Sequence, residues 1–243
     1  MRRKPDGYKA LCRTVVKEIL ALAKKKSAAK GSFTIALSGG ATPRGIYNLM
    51  AAAAYRKKFP WRKMHFFWGD ERWVPPSHSE NNSEGVRRLL FSKVPVPPEN
   101  IHPIPTNLTS FRGAAARYEQ QLREHFLKRK PAFDLVLLGL GRDGHIASIF
   151  PRSKALHEGK RWVVPVAADR GRSRRITLTL PVIRRAGAIF VIASGPEKAV
   201  ILNKVLSPKK TGATLPVEKL MTAHRRIQFF FDKAAAAIRR DIK

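Results

Sequence analysis

"FDLVLLGLGRDGHIASIFP", residues 133–151, decides how the chain is read. It opens as an apolar run of strand length and breaks at Gly139, Gly141 and Gly144, a G-x-G-x-x-G spacing, with His145 directly behind the third glycine. Taken alone, that spacing is the dinucleotide fingerprint, which needs a long helix after the third glycine and an acid at the end of the next strand. Asp169, behind "VVPVAA", is the candidate for that acid. Pro151, however, cuts short any helix starting at Gly144, and Pro165 is badly placed in a central strand. The glycines read better as a tight turn that exposes His145 beside Asp143. An imidazole oriented by a carboxylate titrates near neutral pH and can take a proton from water. A lone histidine is more often a cap or a core residue; Gly-Arg-Asp-Gly-His at a strand end reverses that preference.

Outward from this stretch, strands and helices alternate. Residues 8–26 predict an amphipathic helix with Leu11, Val15, Ile19 and Leu22 on one face. "SFTIALSGG" is a strand ending in two glycines, and the next helix is expected to start with Thr42 as N-cap and Pro43 at its first position. "MHFFWGDER" predicts a second buried strand that ends at Gly69, "NNSEGVRRLLFSKV" a short helix, "IHPI" a short strand and residues 110–129 another helix. "RWVVPVA", "RRITLTL" and "AGAIFVIAS" follow as strands, "PEKAVILNKVL" as a helix, and "IQFFFD" with "KAAAAIRR" as a last strand and helix. Near-continuous apolar strands alternating with helices predict an α/β fold in three layers, a mostly parallel twisted sheet with helices on both faces. The chain reads as one domain over residues 1–243, without repeats or linkers. In such a sheet ligands sit outside the carboxyl ends of the strands, where every glycine-bearing motif here falls.

Two further loops carry candidate chemistry. "LSGGATPRG" is strand, glycine turn and helix start, so Ser38, Gly39, Gly40 and Thr42 can offer backbone N–H groups to an anion, with Arg44 close behind. It lacks the lysine-bearing spacing of a nucleoside-triphosphate loop and suits a single phosphate. "WGDERWVPP" sets Asp70, Glu71 and Arg72 just past a strand end, as a salt-bridged brace or as part of a pocket.

Composition bounds the partners. Lys and Arg number 48 against 17 Asp and Glu, a net charge of +31. Such a field attracts anions generally. The basic runs "AKKKSAAK", "LKRKP" and "RGRSRR" are short and not interleaved with aromatics, so a nucleic-acid platform is not expected. Cys12 stands alone, which excludes an internal disulfide and fits a reducing compartment. No signal-peptide or membrane-spanning stretch is seen, and a cytoplasmic location is expected. The seven histidines are dispersed with no i, i+4 pair, so no metal site is expected. Covalent catalysis is not signalled, since no G-x-S-x-G elbow exists.

Together, "LSGGATP", "FFWGDERWVP" followed by "ENNS", "DLVLLGLGRDGHIASIFP", "RRITLTLPVI", "FVIASGPEKA" and "FFFD" resemble the 6-phosphogluconolactonase family, in order and over roughly residues 8–236. The resemblance implies the fold shared with sugar-phosphate isomerases, and hydrolysis of 6-phospho-D-glucono-1,5-lactone to 6-phosphogluconate with no cofactor. It implies His145 as general base and Asp143 as the residue that orients it. Arg72 would stabilise developing charge, and Asp70 would position Arg72 or the sugar hydroxyls. Ser38, Gly39, Gly40, Thr42, Arg44, Gly141 and Lys198 would hold the phosphorylated substrate. A monomer or weak homodimer is expected. Glucosamine-6-phosphate deaminases share the "DGHIA" turn but continue with Phe-Asn-Glu-Pro, where this chain has Ala147-Ser148-Ile149-Phe150-Pro151, and carry Asp-Glu-Tyr where it has Asp70-Glu71-Arg72. The missing glutamate favours the lactonase. The chain also departs from the lactonase pattern, with Asn81-Asn82-Ser83 for a common Ser-Asn-Tyr, Ile146 for a common Thr, and "GRSRR" for the usual prolines. Two other readings are a non-catalytic sugar-phosphate sensor, for which the stretch before residue 31 is too short to hold a helix-turn-helix, and a polyanion binder driven by charge.

Overall fold

The computed structural model describes residues 2–3, 5–127, 131–168, 173–207, 215–223 and 226–237. Asp169, and Gly171 and Arg172 of the "GRSRR" stretch, lie outside them. The elements in chain order are β1 (Arg2–Arg3), α1 (Gly7–Lys30), β2 (Phe33–Leu37), α2 (Ala41–Ala51), α3 (Ala53–Arg56), β3 (Met64–Trp68), β4 (Asp70–Arg72) and α4 (Asn82–Leu89). They continue with β5 (Ile101–His102), α5 (Phe111–His125), β6 (Leu135–Gly139), β7 (Val163–Val166), β8 (Arg175–Leu178) and α6 (Leu180–Ile183). Last come β9 (Ala188–Ala193), α7 (Ala199–Leu206), α8 (Pro216–Ala223), β10 (Ile227–Phe231) and α9 (Lys233–Ala236).

Seven strands form the main sheet in the order β1-β10-β9-β6-β2-β3-β5, and every pair is parallel. All residues of β2 and β9 are buried, which requires cover on both faces, and the amphipathic helices supply it. On α1 three of the four predicted stripe residues, Leu11, Val15 and Ile19, are fully buried, and Leu22 is partly buried against the core. Asp134, at the foot of β6, accepts hydrogen bonds from the Thr34 N–H (2.8 Å) and hydroxyl (3.1 Å) and pairs with Lys30 at 2.9 Å, tying β6 to β2 at low exposure. No helix among the described residues is long and apolar enough to cross a membrane.

The strand in "MHFFWGDER" ends at Gly69 as expected, and there the chain leaves the main sheet: the Gly69 N–H bonds Leu37 O and its carbonyl accepts from Leu178 N, each at 2.8 Å. Asp70–Arg72 then joins a separate antiparallel sheet in the order β4-β8-β7. "VVPVA" and "RITL" belong to this small sheet, and Pro165 is tolerated because β7 is its edge strand. The structure also moves the expected cap: α2 begins one residue before Thr42, Gly40, with φ 92°, is the N-cap, and no side chain caps the helix. That left-handed backbone turns the chain straight from strand to helix, which puts Thr42 in the first turn.

Strand order places the binding crevice. From β2 the chain moves to β3 on one side; from β6, the other neighbour of β2, it reaches β9 on the opposite side. The adjacent ends of β2 and β6 are therefore a topological switch point, where the two following loops diverge and leave a gap.

Candidate active site

A cleft of about 490 Å³ opens at that gap. Its walls are the Ser38–Pro43 turn after β2, Asp70 and Arg72 from β4, the Gly139–His145 turn after β6, and Glu197 with Lys198 beyond β9. Ser38, Gly39, Gly40, Thr42, Asp70, Arg72, Gly141, Asp143, His145 and Lys198 all line it. Arg44 does not: it is exposed on α2 on the side of Tyr8, because the first turn of the helix carries it out of the cleft. A wider groove of about 2050 Å³ adjoins the cleft through Asp143, but only the smaller cleft brings the histidine and the glycine turns together.

The turn after β6 is built around the imidazole. His145 Nδ1 lies 2.5 Å from Asp143 Oδ1, and the same oxygen accepts the His145 N–H at 3.2 Å. With Nδ1–H donating to the carboxylate, Nε2 carries the free lone pair. The backbone closes beneath the ring, with Gly141 N–H on His145 O at 2.9 Å and Gly144 N–H on Gly141 O at 3.0 Å. A Cβ at position 141 would lie 2.0 Å from Nδ1, so the second glycine exists to let the ring pack on bare backbone. Phe150 flanks the ring at 4.7 Å between centroids. About a quarter of the His145 side chain stays accessible, 28%, which suits a group that must meet water and substrate.

On the β2 side, Tyr47 clamps the turn. Its hydroxyl donates to Ser38 O at 2.6 Å and accepts from Ser38 N–H at 3.2 Å, and its full burial pushes the phenol pKa up. The helix start beyond Gly40 leaves N–H groups facing the cleft, a partial positive charge suited to an anion. Opposite, Lys198 is half-buried. Desolvation lowers its pKa, opposed by Glu197 and Asp143 and assisted by Arg142. Lys198 is delivered by a short turn that Asp232 holds, through the Ser194 hydroxyl (2.5 Å) and the Gly195 N–H (3.2 Å). The same buried carboxylate caps α9 through the Ala235 N–H at 2.9 Å.

The β4 wall separates the roles of three neighbours. Glu71 is fully buried and faces away from the cleft, accepting N–H bonds from Arg72 (2.8 Å), Asn82 (2.7 Å) and Ser83 (2.9 Å) at the start of α4. Burial pushes its pKa up to about 7 against the pull of those bonds. Asp70 Oδ2 accepts from the buried Ser148 hydroxyl at 2.6 Å and lies 4.0 Å from Arg175. Arg72 is aimed by others, its Nη1 donating to Asn82 Oδ1 at 3.0 Å and to Glu80 O at 2.8 Å. Asn82 in turn donates to Asp70 O at 3.0 Å.

Sequence reasoning missed Asn82, Arg142 and Arg175, which line the cleft, and Ser148 and Asp232, which support it. All but the spatial placement was within reach, since Asn82, Arg142, Ser148, Arg175 and Asp232 all sit in quoted motifs; Arg175 arrives in the cleft from the second sheet.

The chain has known relatives in sequence and in fold. The pattern of the family described as glucosamine-6-phosphate isomerases/6-phosphogluconolactonase matches residues 6–229. The chain belongs to this family. It is 38% identical over 211 residues to a 6-phosphogluconolactonase of Nostoc sp., covering 86% of this chain and 85% of the relative. A 6-phosphogluconolactonase of Mycobacterium bovis is 42% identical over 179 residues, 71% of this chain and 72% of that one. The solved 6-phosphogluconolactonase of Thermotoga maritima superposes with a TM-score of 0.79 at 29% identity, covering 96% of this chain and 98% of that chain. A monomeric glucosamine-6-phosphate deaminase also superposes, with a TM-score of 0.81, but at 19% identity it shares the fold alone.

Proposed function

We infer that the protein hydrolyses 6-phospho-D-glucono-1,5-lactone to 6-phospho-D-gluconate in the pentose phosphate pathway, with His145 activating the water. The observation that carries the reading is the pairing, in one cleft, of an Asp143-oriented imidazole with a glycine turn at a helix N-terminus. The relatives named above, lactonases at 38% and 42% identity, support the same activity.

In this mechanism the phosphate sits against Ser38, Gly39, Gly40 and Thr42, with Lys198 on the opposite wall, and fixes the lactone carbonyl near His145. Nε2 takes a proton from water as its oxygen attacks the carbonyl carbon, and Asp143 stabilises the imidazolium. Charge growing on the carbonyl oxygen is met by Arg72 and turn N–H groups. The intermediate collapses by breaking the bond to the ring oxygen, which receives the proton back from His145. Asp70, engaged with Ser148, acts as a positioning group, and Arg44 has no part. The reaction takes place in a single domain, a monomer or weak homodimer in the cytoplasm. The +31 charge serves anion capture rather than nucleic-acid recognition.

The test is hydrolysis of freshly generated lactone with the spontaneous rate subtracted. Wild-type protein accelerates it, and His145→Ala loses about 10²–10⁴-fold in turnover. Full turnover by His145→Ala would remove the imidazole from the reaction, and ammonia release from glucosamine 6-phosphate would replace the lactonase reading with a deaminase.

A further inference from the structure

The dispersed histidines of the sequence do not stay dispersed. His65 on β3, His102 on β5 and His125 at the end of α5 converge at the edge of the main sheet, each partly buried. Each offers one ring nitrogen, and the three nitrogens all lie within 4.8 Å of one another. His65 stands near the start of β3 whereas the cleft opens beyond its end, five residues on at Asp70, at most about 16 Å at the rise of a strand.

We propose that His65, His102 and His125 form a binding site for a borderline divalent transition-metal cation, with zinc as the type case. Geometry is the first argument. Nitrogens about 2.0–2.1 Å from a tetrahedral ion lie about 3.3 Å apart. His65 Nδ1 and His102 Nε2 are already 3.4 Å apart, with Nδ1 of one ring turned toward Nε2 of the other. Bringing the third nitrogen in needs a ring adjustment of His125, the last residue of α5.

Chemistry is the second argument. Three imidazoles with no thiolate among them suit zinc, copper or nickel and disfavour magnesium or calcium, which take oxygen ligands. Three protein ligands leave a fourth position for water, as in open zinc sites. The outer partner is also present: Gln121 Nε2 lies 3.4 Å from His102 Nδ1. Turning that amide lets its carbonyl accept Nδ1–H, which frees Nε2 for the ion, the arrangement that metal-bound histidines usually have. Around the triad the wall is aromatic. Phe67 stacks on His102 at 4.3 Å between centroids, holding its ring plane, and meets His125 edge-on at 4.9 Å. A bound ion would tie the two-residue edge strand β5 to β3 and α5, a staple at the edge of the sheet.

The test uses the full chain without a polyhistidine tag, stripped of metal and titrated with Zn²⁺ against a chromophoric chelator, and separately with Co²⁺. One Zn²⁺ per chain, a Zn²⁺-dependent rise in Tm and the intense visible bands of tetrahedral Co²⁺ are expected. His102→Gln and His125→Gln should each weaken binding by more than the about 10–100-fold that loss of an outer partner costs, and Gln121→Leu by an amount in that range. Binding by His145→Ala should match wild type, and lactone hydrolysis by His102→Gln should be unchanged. No stoichiometric uptake, uptake indifferent to His102→Gln and His125→Gln, or uptake lost in His145→Ala overturns the proposal and leaves the triad as aromatic packing. Should the variants fold poorly, the cobalt spectrum of the unaltered protein still decides, because weak octahedral bands contradict an imidazole triad.

Discussion

Gly141→Ala is the sharpest probe of the catalytic turn. Gly141 is not in the left-handed region, so alanine is free to adopt its backbone and the substitution acts through one methyl group. That methyl would sit 2.0 Å from His145 Nδ1 and 2.2 Å from Cε1. Real Cβ contacts below 3.0 Å are essentially absent, so the ring must retreat by about 1 Å or turn aside. Either movement breaks the 2.5 Å bond to Asp143 and shifts Nε2 relative to the lactone carbonyl. A displacement of about 1 Å in a reacting group costs about 10²-fold, so turnover should fall by that factor. The KM should change less, because the Ser38–Thr42 turn is untouched. The lactone assay reads kcat and KM, and a thermal melt checks that the fold survives. Wild-type turnover in a folded Gly141→Ala protein would mean that the imidazole position does not set the rate, and the mechanism would fall with it.

Lys198→Met should raise KM for the phosphorylated lactone about 10–100-fold, the worth of a charge-assisted hydrogen bond, with little change for unphosphorylated gluconolactone; equal losses on both substrates would place the phosphate elsewhere. Asp232→Ala should lower Tm, since it removes a cap worth about 1 kcal/mol and leaves the Gly195 N–H and the Ser194 hydroxyl without their acceptor. It should also raise KM by loosening the turn that carries Lys198, and a Tm loss without a KM change would break that link. Glu71→Gln tests the buried carboxyl through pH. The folded protein keeps its proton up to about pH 7 whereas the unfolded chain releases it near 4.5, so the contribution is full below pH 4.5 and is lost as pH rises through 7. The span is worth at most about 3 kcal/mol, and the difference between wild-type and Glu71→Gln stability should follow it. His102 and His125 have pKa values lowered by burial to about 4, so their contribution runs the other way, falling as pH drops from 6.5 through 4. Denaturant melts of His102→Gln should therefore lose less stability than wild type over that acid range, and an unchanged acid slope would contradict the assignment.

The legible part of this molecule is the part written in short-range pattern. Apolar runs such as "FTIAL" and "AIFVIA" became central strands because a residue buried on both faces has no polar alternative. The glycine turns and the Asp143–His145 pair were legible because their residues are two or three positions apart. What escaped depended on where strands went. The end of β3 at Gly69 was legible, but not that Asp70–Arg72 would join a second sheet, a choice made by Leu178, more than a hundred residues on. Arg44 follows the glycine turn closely in sequence but leaves the cleft because a helix advances about 100° per residue. Asn82 and Arg175 enter the cleft for the complementary reason: α4 is docked by Glu71, and β8 is registered on β4. The histidine triad was invisible to spacing rules, since its members come from two strands and a helix.

The same geometry argues why this cleft hydrolyses rather than isomerises. Opening and isomerising a sugar ring moves protons at two separated centres and calls for a second acid–base group beside the histidine. The segment following the turn would have to supply it. Here Ala147 faces the cleft with no functional group, and Ser148 is turned inward and fully buried, its hydroxyl spent on Asp70. Of the carboxylates in the lining, Asp143 is committed to His145 and Asp70 to Ser148, which leaves Glu197 on the Lys198 wall. One free imidazole nitrogen facing a phosphate cradle is enough to shuttle a single proton from water to a ring oxygen. Lactone opening asks for no more than that, and the deaminase reaction does. Placing a carboxylate at Ala147 without disturbing Ser148 should therefore depress lactone turnover without conferring ammonia release from glucosamine 6-phosphate, since one added group leaves the rest of the wall unchanged. Measurable deamination by Ala147→Glu would show that this one side chain, and not the whole wall, separates the two reactions.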